Sequence, residues 1–190
     1  MRLFVAVDLS EEARQAMAAE QKRIAATLGD RRTSLKWIMP EHMHLTLVFL
    51  GSVDEARGRA VVDMIGRDVD AAPFDMVFDG VGAFPPHGEP RVLWTGVTHG
   101  AAELVALHHE LRQRAAALGI ALEDRPFHPH LTLGRWRDSR RQDRDRALAA
   151  GARAPLARVR VQRATLYESR LAPPGPTYTA LAHANLTRHS

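Results

Sequence analysis

The chain has no cysteine, which removes disulfides, thiol catalysis and thiolate metal sites but leaves the compartment open. It also lacks any continuous apolar run long enough to cross a bilayer, although 45% of its residues are hydrophobic. Met1 to Val7 reads as a strand rather than as a secretory leader, whose apolar segment would be longer and end at a small-residue cleavage site. We therefore expect a cytoplasmic protein without membrane attachment. No obvious cluster of carboxylates is present to hold a divalent ion, so no metal or other cofactor is expected. Charge is only mildly unbalanced: 26 Lys+Arg stand against 22 Asp+Glu, for a net charge of +4 and a pI near 10.3. Arginines greatly outnumber lysines; their forks suit phosphates, but an Ala- and Arg-rich composition equally reflects coding bias. Arg140, Arg141, Arg144 and Arg146 are interleaved with Asp138, Asp143 and Asp145, a mixture that marks a solvated helix or loop more than a nucleic-acid contact. A length of 190 residues fits one domain, or two small lobes sharing an interface.

What is present is a repeat. His-Leu-Thr-Leu occurs at His44 to Leu47 and again at His130 to Leu133, each time in a stretch that reads as a strand. Residues i and i+2 of a strand share a face, so each copy offers one imidazole and one hydroxyl together while its leucines turn into a core. Two such strands facing each other make a pocket with His44, His130, Thr46 and Thr132. Two groups titrating near neutrality to move protons, beside two neutral donors for phosphoryl oxygens, suit a phosphate ester. An imidazole with its ordinary pKa of about 6.5 allows one of the pair to be protonated while the other is free.

Strand and helix signals alternate along the chain. Strands are expected near Leu3 to Asp8, Leu35 to Ile38 and His44 to Gly51. A helix starts after Ser10 and runs through Leu28 to a Gly29-Asp30 break, and a second runs from about Asp54 to Val69. Phe74 to Val81 reads as a strand, Gly82 to Pro86 as a loop, Arg91 to Val97 as a strand and Ala101 to Leu118 as a helix. Later strands fall at His130 to Trp136, Ala157 to Ser169 and Tyr178 to Leu186, the last two split by a loop, Pro173 to Pro176. No low-complexity linker separates the two motif copies. The pattern predicts an α+β protein with two related lobes, packed as one unit over residues 1–190 with a cleft between them.

Trp37-Ile38-x-Pro40-x-x-x-His44-Leu-Thr-Leu-x-Phe49-Leu-Gly51 and Pro126-Phe127-x-Pro129-His130-Leu-Thr-Leu-Gly-Arg135 resemble the two signature blocks of the LigT-like branch of the 2H phosphoesterases. Arg2 to Leu9, Arg91 to Trp94 and Glu168 to Leu171 also look like family features. The resemblance implies a bilobal LigT-like fold, with two pseudo-symmetric lobes, each a small antiparallel sheet with flanking helices, and the active cleft between them. It further implies metal-free hydrolysis of RNA 2′,3′-cyclic phosphate ends to 2′-phosphates. By position in the family pattern, His130 matches the general base and His44 the general acid, Thr46 and Thr132 donate to non-bridging oxygens, and Arg135 offsets transition-state charge. Joining RNA ends in the 2′-5′ sense uses the same pair in reverse.

Other readings compete at several residues. Arg135 follows His130 by an odd number of residues, so in a regular strand it points away from His130 and Thr132; either a bulge at Gly134 or a reach around the strand end is needed. His42 and His128 precede the motif histidines, and four imidazoles are a possible zinc set, but the matching threonines are not explained by a metal. His87, His99, His108, His109, His183 and His189 are read as loop, helix-surface or tail residues. Phe4, Phe84, Trp94 and Tyr178 are positioned to stack a nucleobase, with core packing the plainer role; Trp37 and Phe49 are assigned to the core. The rival functions are a module that binds RNA termini without turnover and a phosphodiesterase for a small nucleotide such as ADP-ribose 1″,2″-cyclic phosphate. A monomer is expected, because the lobes already cover each other's faces.

Overall fold

The computed structural model describes residues 1–28, 34–173 and 175–188. Among them, β1 (Arg2–Asp8), β3 (His44–Ser52), β8 (Arg163–Ala172) and β9 (Gly175–Asn185) form one sheet in the order β3-β1-β8-β9. The second sheet, ordered β2-β6-β5-β4-β7, is built from β2 (Leu35–Trp37), β4 (Phe74–Phe84), β5 (Val92–His99), β6 (His130–Trp136) and β7 (Ala157–Val161). Every pairing within the sheets is antiparallel. The expected bilobal α+β architecture is present, and the chain weaves between its halves rather than completing one before the other.

The helices cross over as well. Helix α1 (Glu11–Leu28) follows β1, yet packs on β7 of the other sheet and on α4 (Arg141–Ala150); α3 (Ala101–Ala117) follows β5, yet packs on β3 and on α2 (Glu55–Ile65). Each helix starts where a side chain can take an orphan amide or buries a stripe at helical spacing. The Ser10 hydroxyl accepts from Ala13 N at 3.2 Å, and Asp54 caps α2 by accepting from Arg57 N at 2.8 Å. The buried stripe of α1 includes Ala13, Met17, Ile24 and Leu28, and that of α3 is Leu104, Leu107, Leu111 and Ala115. The motif leucines Leu45, Leu47, Leu131 and Leu133 lie in the core at 0–2% exposure, each contributing about 2 kcal/mol of burial free energy.

Several element boundaries differ from the sequence expectation. Gly66 ends α2 earlier than Val69, whose amide instead donates to the Asn185 carbonyl. Gly82, Ala83 and Phe84 belong to β4, not to a loop. Gly82 stands opposite Trp94, and a Cβ there would lie 2.1 Å from the indole, so the glycine serves to seat that ring. The single strand expected from Ala157 to Ser169 breaks at Gln162, where the chain passes from one sheet to the other. The turn between β8 and β9 is tighter than expected, since Gly175 already pairs with Ala172. The arginine-rich segment forms α4, anchored by Ala147 and Ala150 and by a buried Arg144 that donates to the Pro85 carbonyl at 2.8 Å. The Gly29-Asp30 break, Pro174 and His189 lie outside the described residues.

Candidate active site

Strands β3 and β6 run beside each other where the two lobes meet, without being hydrogen-bonded neighbours in either sheet. His44, Thr46, His130, Thr132 and Arg135 line one cavity of about 130 Å³ together with Ile38, His42, Met43 and Tyr178. All five expected residues are therefore brought together in a space that suits a phosphoryl group and not a whole nucleotide.

Strand alternation puts each histidine with its threonine, and a bulge in β6, matched by one in β3, brings Arg135 to join them. Val5 pairs with Val48 and Ala6 with Thr46, leaving Leu47 as the extra residue of β3; Leu93 pairs with Gly134 and Trp94 with Thr132, leaving Leu133 as the extra residue of β6. A bulge reverses the alternation beyond it, so Arg135 turns to the same cavity as His130 and Thr132. Of the two routes open to Arg135, the bulge is the one the chain takes. Each bulge carbonyl is clamped by the helix that crossed over: Leu133 O accepts from Gln21 Nε2 at 2.8 Å, and Leu47 O lies 2.7 Å from His108 Nδ1. Gln21 also donates to Ile38 O at 2.8 Å, and His108 stacks on Phe127 at 4.2 Å. His108 is thus half-buried and structural, not a surface residue, and neither clamp was visible in the sequence because the helix and the bulge it holds are far apart in the chain.

The imidazoles are oriented by the residues two before them. His130 Nδ1 lies 2.6 Å from the His128 carbonyl, which can only accept, so Nδ1 carries the proton and Nε2 is left to exchange one. A backbone hydrogen bond to His42 acts on His44 in the same way. The outer histidines contribute carbonyls to the site, and among the described residues no three His, Cys, Asp or Glu side chains gather to hold a metal. Aromatic rings wall both imidazoles. Phe4 stacks on His44 at 4.7 Å with Tyr178 edge-on at 5.2 Å, while Phe84 meets His130 edge-on at 5.1 Å and Trp94 at 6.2 Å. Phe4 is a buried wall of the site, whereas Tyr178 lines its cavity. Trp37 packs on the core as expected, but Phe49 is 45% exposed with the Arg2 guanidinium 5.2 Å from its ring centre.

Burial decides the protonation of the free site. It pushes His44 down to about 4, against the pull of Asp8, its cross-strand partner. It also holds His130 below the ordinary range, with Arg135 adding to the effect. Burial therefore favours the neutral form of both imidazoles in the unliganded molecule, whereas the ordinary value would allow one of the pair to be protonated near neutrality. Asp8 is fixed by Tyr167 and Thr165, whose hydroxyls donate at 2.6 Å and 2.8 Å.

Residues 38–172 match the model of the 2′-5′ RNA ligase superfamily. The chain belongs to this superfamily. Members named RNA 2′,3′-cyclic phosphodiesterase include one from Thermotoga maritima, 35% identical over 95% of this chain and 93% of that protein, and one from Archaeoglobus fulgidus, 34% identical over 95% and 98%. The superfamily fold is equally clear in three dimensions. The crystal structure of E. coli LigT complexed with 3′-AMP superposes with a TM-score of 0.77 at 30% identity, covering 98% of both chains.

Proposed function

We propose that this chain is an RNA 2′,3′-cyclic phosphodiesterase that leaves a 2′-phosphate and needs no metal. The observation that carries the proposal is the convergence of two His-x-Thr pairs and Arg135 on one phosphate-sized cavity. The names of the superfamily relatives support the choice of substrate. In this reading water attacks phosphorus as His130 Nε2 takes its proton. The bond to the ribose 3′ oxygen breaks, and His44 protonates that oxygen as it leaves. Thr46, Thr132 and Arg135 hold the non-bridging oxygens, whose charge grows in the transition state.

The local charges favour this division of roles. Asp8 acts to keep a proton on His44, and Arg135 acts to keep one off His130. The bound phosphodiester anion then supplies the negative charge needed to bring buried His44 back toward its ordinary range. The interleaved strands and crossed helices support a single domain over residues 1–190, which we take to act as a monomer in the cytoplasm. Hydrolysis of a 2′,3′-cyclic-phosphate-ended oligonucleotide in excess EDTA tests the proposal, with the product phosphate located. Turnover to a 2′-phosphate is expected; a requirement for a divalent ion, or a 3′-phosphate product, overturns it.

A further inference from the structure

The cavity that holds both histidines, at about 130 Å³, is too small for a nucleoside, so the rest of the substrate must lie in a neighbouring cleft. Three clefts open from it. One, beside His44, sets the single arginine Arg14 against two carboxylates, Asp8 and Glu41, a balance of charge that disfavours further phosphates. Another, beside His130, contains Arg112 and Arg125, but these cations are already engaged by Asp124 at 3.8 Å and Glu123 at 3.3 Å.

The third cleft differs from both. It measures about 490 Å³, within the usual range for a small-molecule site, and runs between β2 and the β8–β9 hairpin past Trp37, Met39 and Tyr178. It has no carboxylate in its lining, and it shares Arg135 and Tyr178 with the phosphate cavity. Its cations are Arg135 and Lys36, which stand directly opposite each other on β6 and β2. Like charges in that relation repel, and neither side chain has an ion-pair partner among the described residues. Such an arrangement is costly alone and is relieved by an anion lying across both strands. An exposed methionine and a half-buried tyrosine at the same place offer apolar and stacking surface to a base.

Resting on the phosphodiesterase reading, we infer that Lys36 holds the RNA backbone phosphate adjacent to the cyclic one, with the intervening nucleoside in the cleft of Met39 and Tyr178. Arg135 then spans the two phosphates, and the enzyme prefers the end of an RNA chain to a cyclic mononucleotide. Opposed strand residues are about 5 Å apart at Cα, which lets two long side chains reach phosphates one nucleotide apart.

The test compares 2′,3′-cyclic AMP, a trinucleotide with a 2′,3′-cyclic phosphate, and ADP-ribose 1″,2″-cyclic phosphate as substrates of wild type, Lys36→Ala and Lys36→Arg. The alanine variant is expected to lose roughly tenfold in kcat/KM on the trinucleotide, through KM, and far less on the mononucleotide. Its salt dependence on the trinucleotide should flatten by about 0.7 in logarithmic slope, and the arginine variant should recover most of the loss. Because the substitution relieves like-charge repulsion at an exposed edge strand, the melting temperature should not fall. Equal losses on trinucleotide and mononucleotide overturn the inference, as does a larger loss on the ADP-ribose compound, whose diphosphate would then be the true occupant.

Lys36 and Lys22 are the chain's only lysines, and both are exposed, so acylation provides a readout without turnover. A trinucleotide ending in a 2′-phosphate should protect Lys36 and leave Lys22 unchanged; equal labelling of both refutes the subsite. If wild type opens none of the substrates, the phosphodiesterase reading fails by itself, and the protection result alone decides whether Lys36 contacts an RNA end.

Discussion

The two motif strands have the same burial pattern over seven residues: the histidine, the threonine and the second residue after the bulge face outward, and the leucines face in. Around this shared geometry the chemistry differs. Opposite His44 stands Asp8, and opposite His130 stands Gly96. Beyond one bulge lies Phe49, beyond the other Arg135. One bulge carbonyl is held by His108, the other by Gln21. A repeated backbone thus carries an electrostatic asymmetry, with negative charge beside one imidazole and positive charge beside the other. In the proposed mechanism, that asymmetry is what divides two equivalent histidines into an acid and a base.

The largest expected effect comes from removing either histidine. His44→Ala and His130→Ala should each lower kcat by roughly 10²- to 10⁴-fold, and the double variant by much less than the product of the two, because the pair acts as a unit. Single-turnover rates on a cyclic-phosphate-ended oligonucleotide check this; a variant that keeps near-wild-type rates removes its histidine from the mechanism. Arg135→Ala comes next, with a loss of roughly ten- to a hundredfold in kcat/KM for one charge-assisted contact. Phe49→Ala, at the equivalent place in the other lobe, should lose far less, and equal losses would mean that the two bulges do the same work.

The pH profile sharpens the comparison further. Since burial holds free His44 at about 4 and His130 below its usual range, and since kcat/KM reports the free enzyme, its optimum should lie below pH 6.5. Above that pH the protonated fraction of His44 falls, and kcat/KM falls with it. His44 is the more strongly lowered of the two, so its titration bounds the acid side of the profile, and Asp8→Asn, which removes the charge that raises it, should move the acid limb to lower pH. Arg135→Ala removes a charge that lowers His130, so the alkaline limb should move to higher pH. Rate profiles from pH 4 to pH 8 distinguish these opposite shifts; shifts of the same limb in both variants would mean that the two charges act on one histidine.

The parts of this site that were legible in the sequence are the local ones. His44 with Thr46 and His130 with Thr132 share faces because strand alternation is a property of adjacent residues, and both strands appear with nearly the expected bounds. Arg135 was placed on the wrong face by alternation alone, since the bulge that corrects it is paired to β5 and clamped by α1. Phe49 was assigned to the core for the same reason. The helix over residues 141–150 was not separable from a loop, because Ala147 and Ala150 look like ordinary alanines until α1 covers them. The lowered pKa values also depend on tertiary burial, for which Phe4, Phe84 and Trp94 come from three strands distant from the histidines they wall.

The smallest expected effect concerns the clamps. Gln21→Leu leaves Ile38 O without its side-chain donor and weakens the hold on Leu133 O, at a stability cost of about 1–3 kcal/mol. His108→Leu does the same to Leu47 O, so the two variants should lower the melting temperature by similar amounts. Their effects on turnover should not match. Gln21 fixes the bulge that aims Arg135, whereas His108 fixes the bulge that aims Phe49, so Gln21→Leu should cost several-fold more in kcat/KM than His108→Leu. Combined with Arg135→Ala, Gln21→Leu should add little further loss of activity while still lowering stability, because the contact it positions is already gone. Full additivity in kcat/KM would mean that Gln21 supports the lobe in general and not the aim of Arg135.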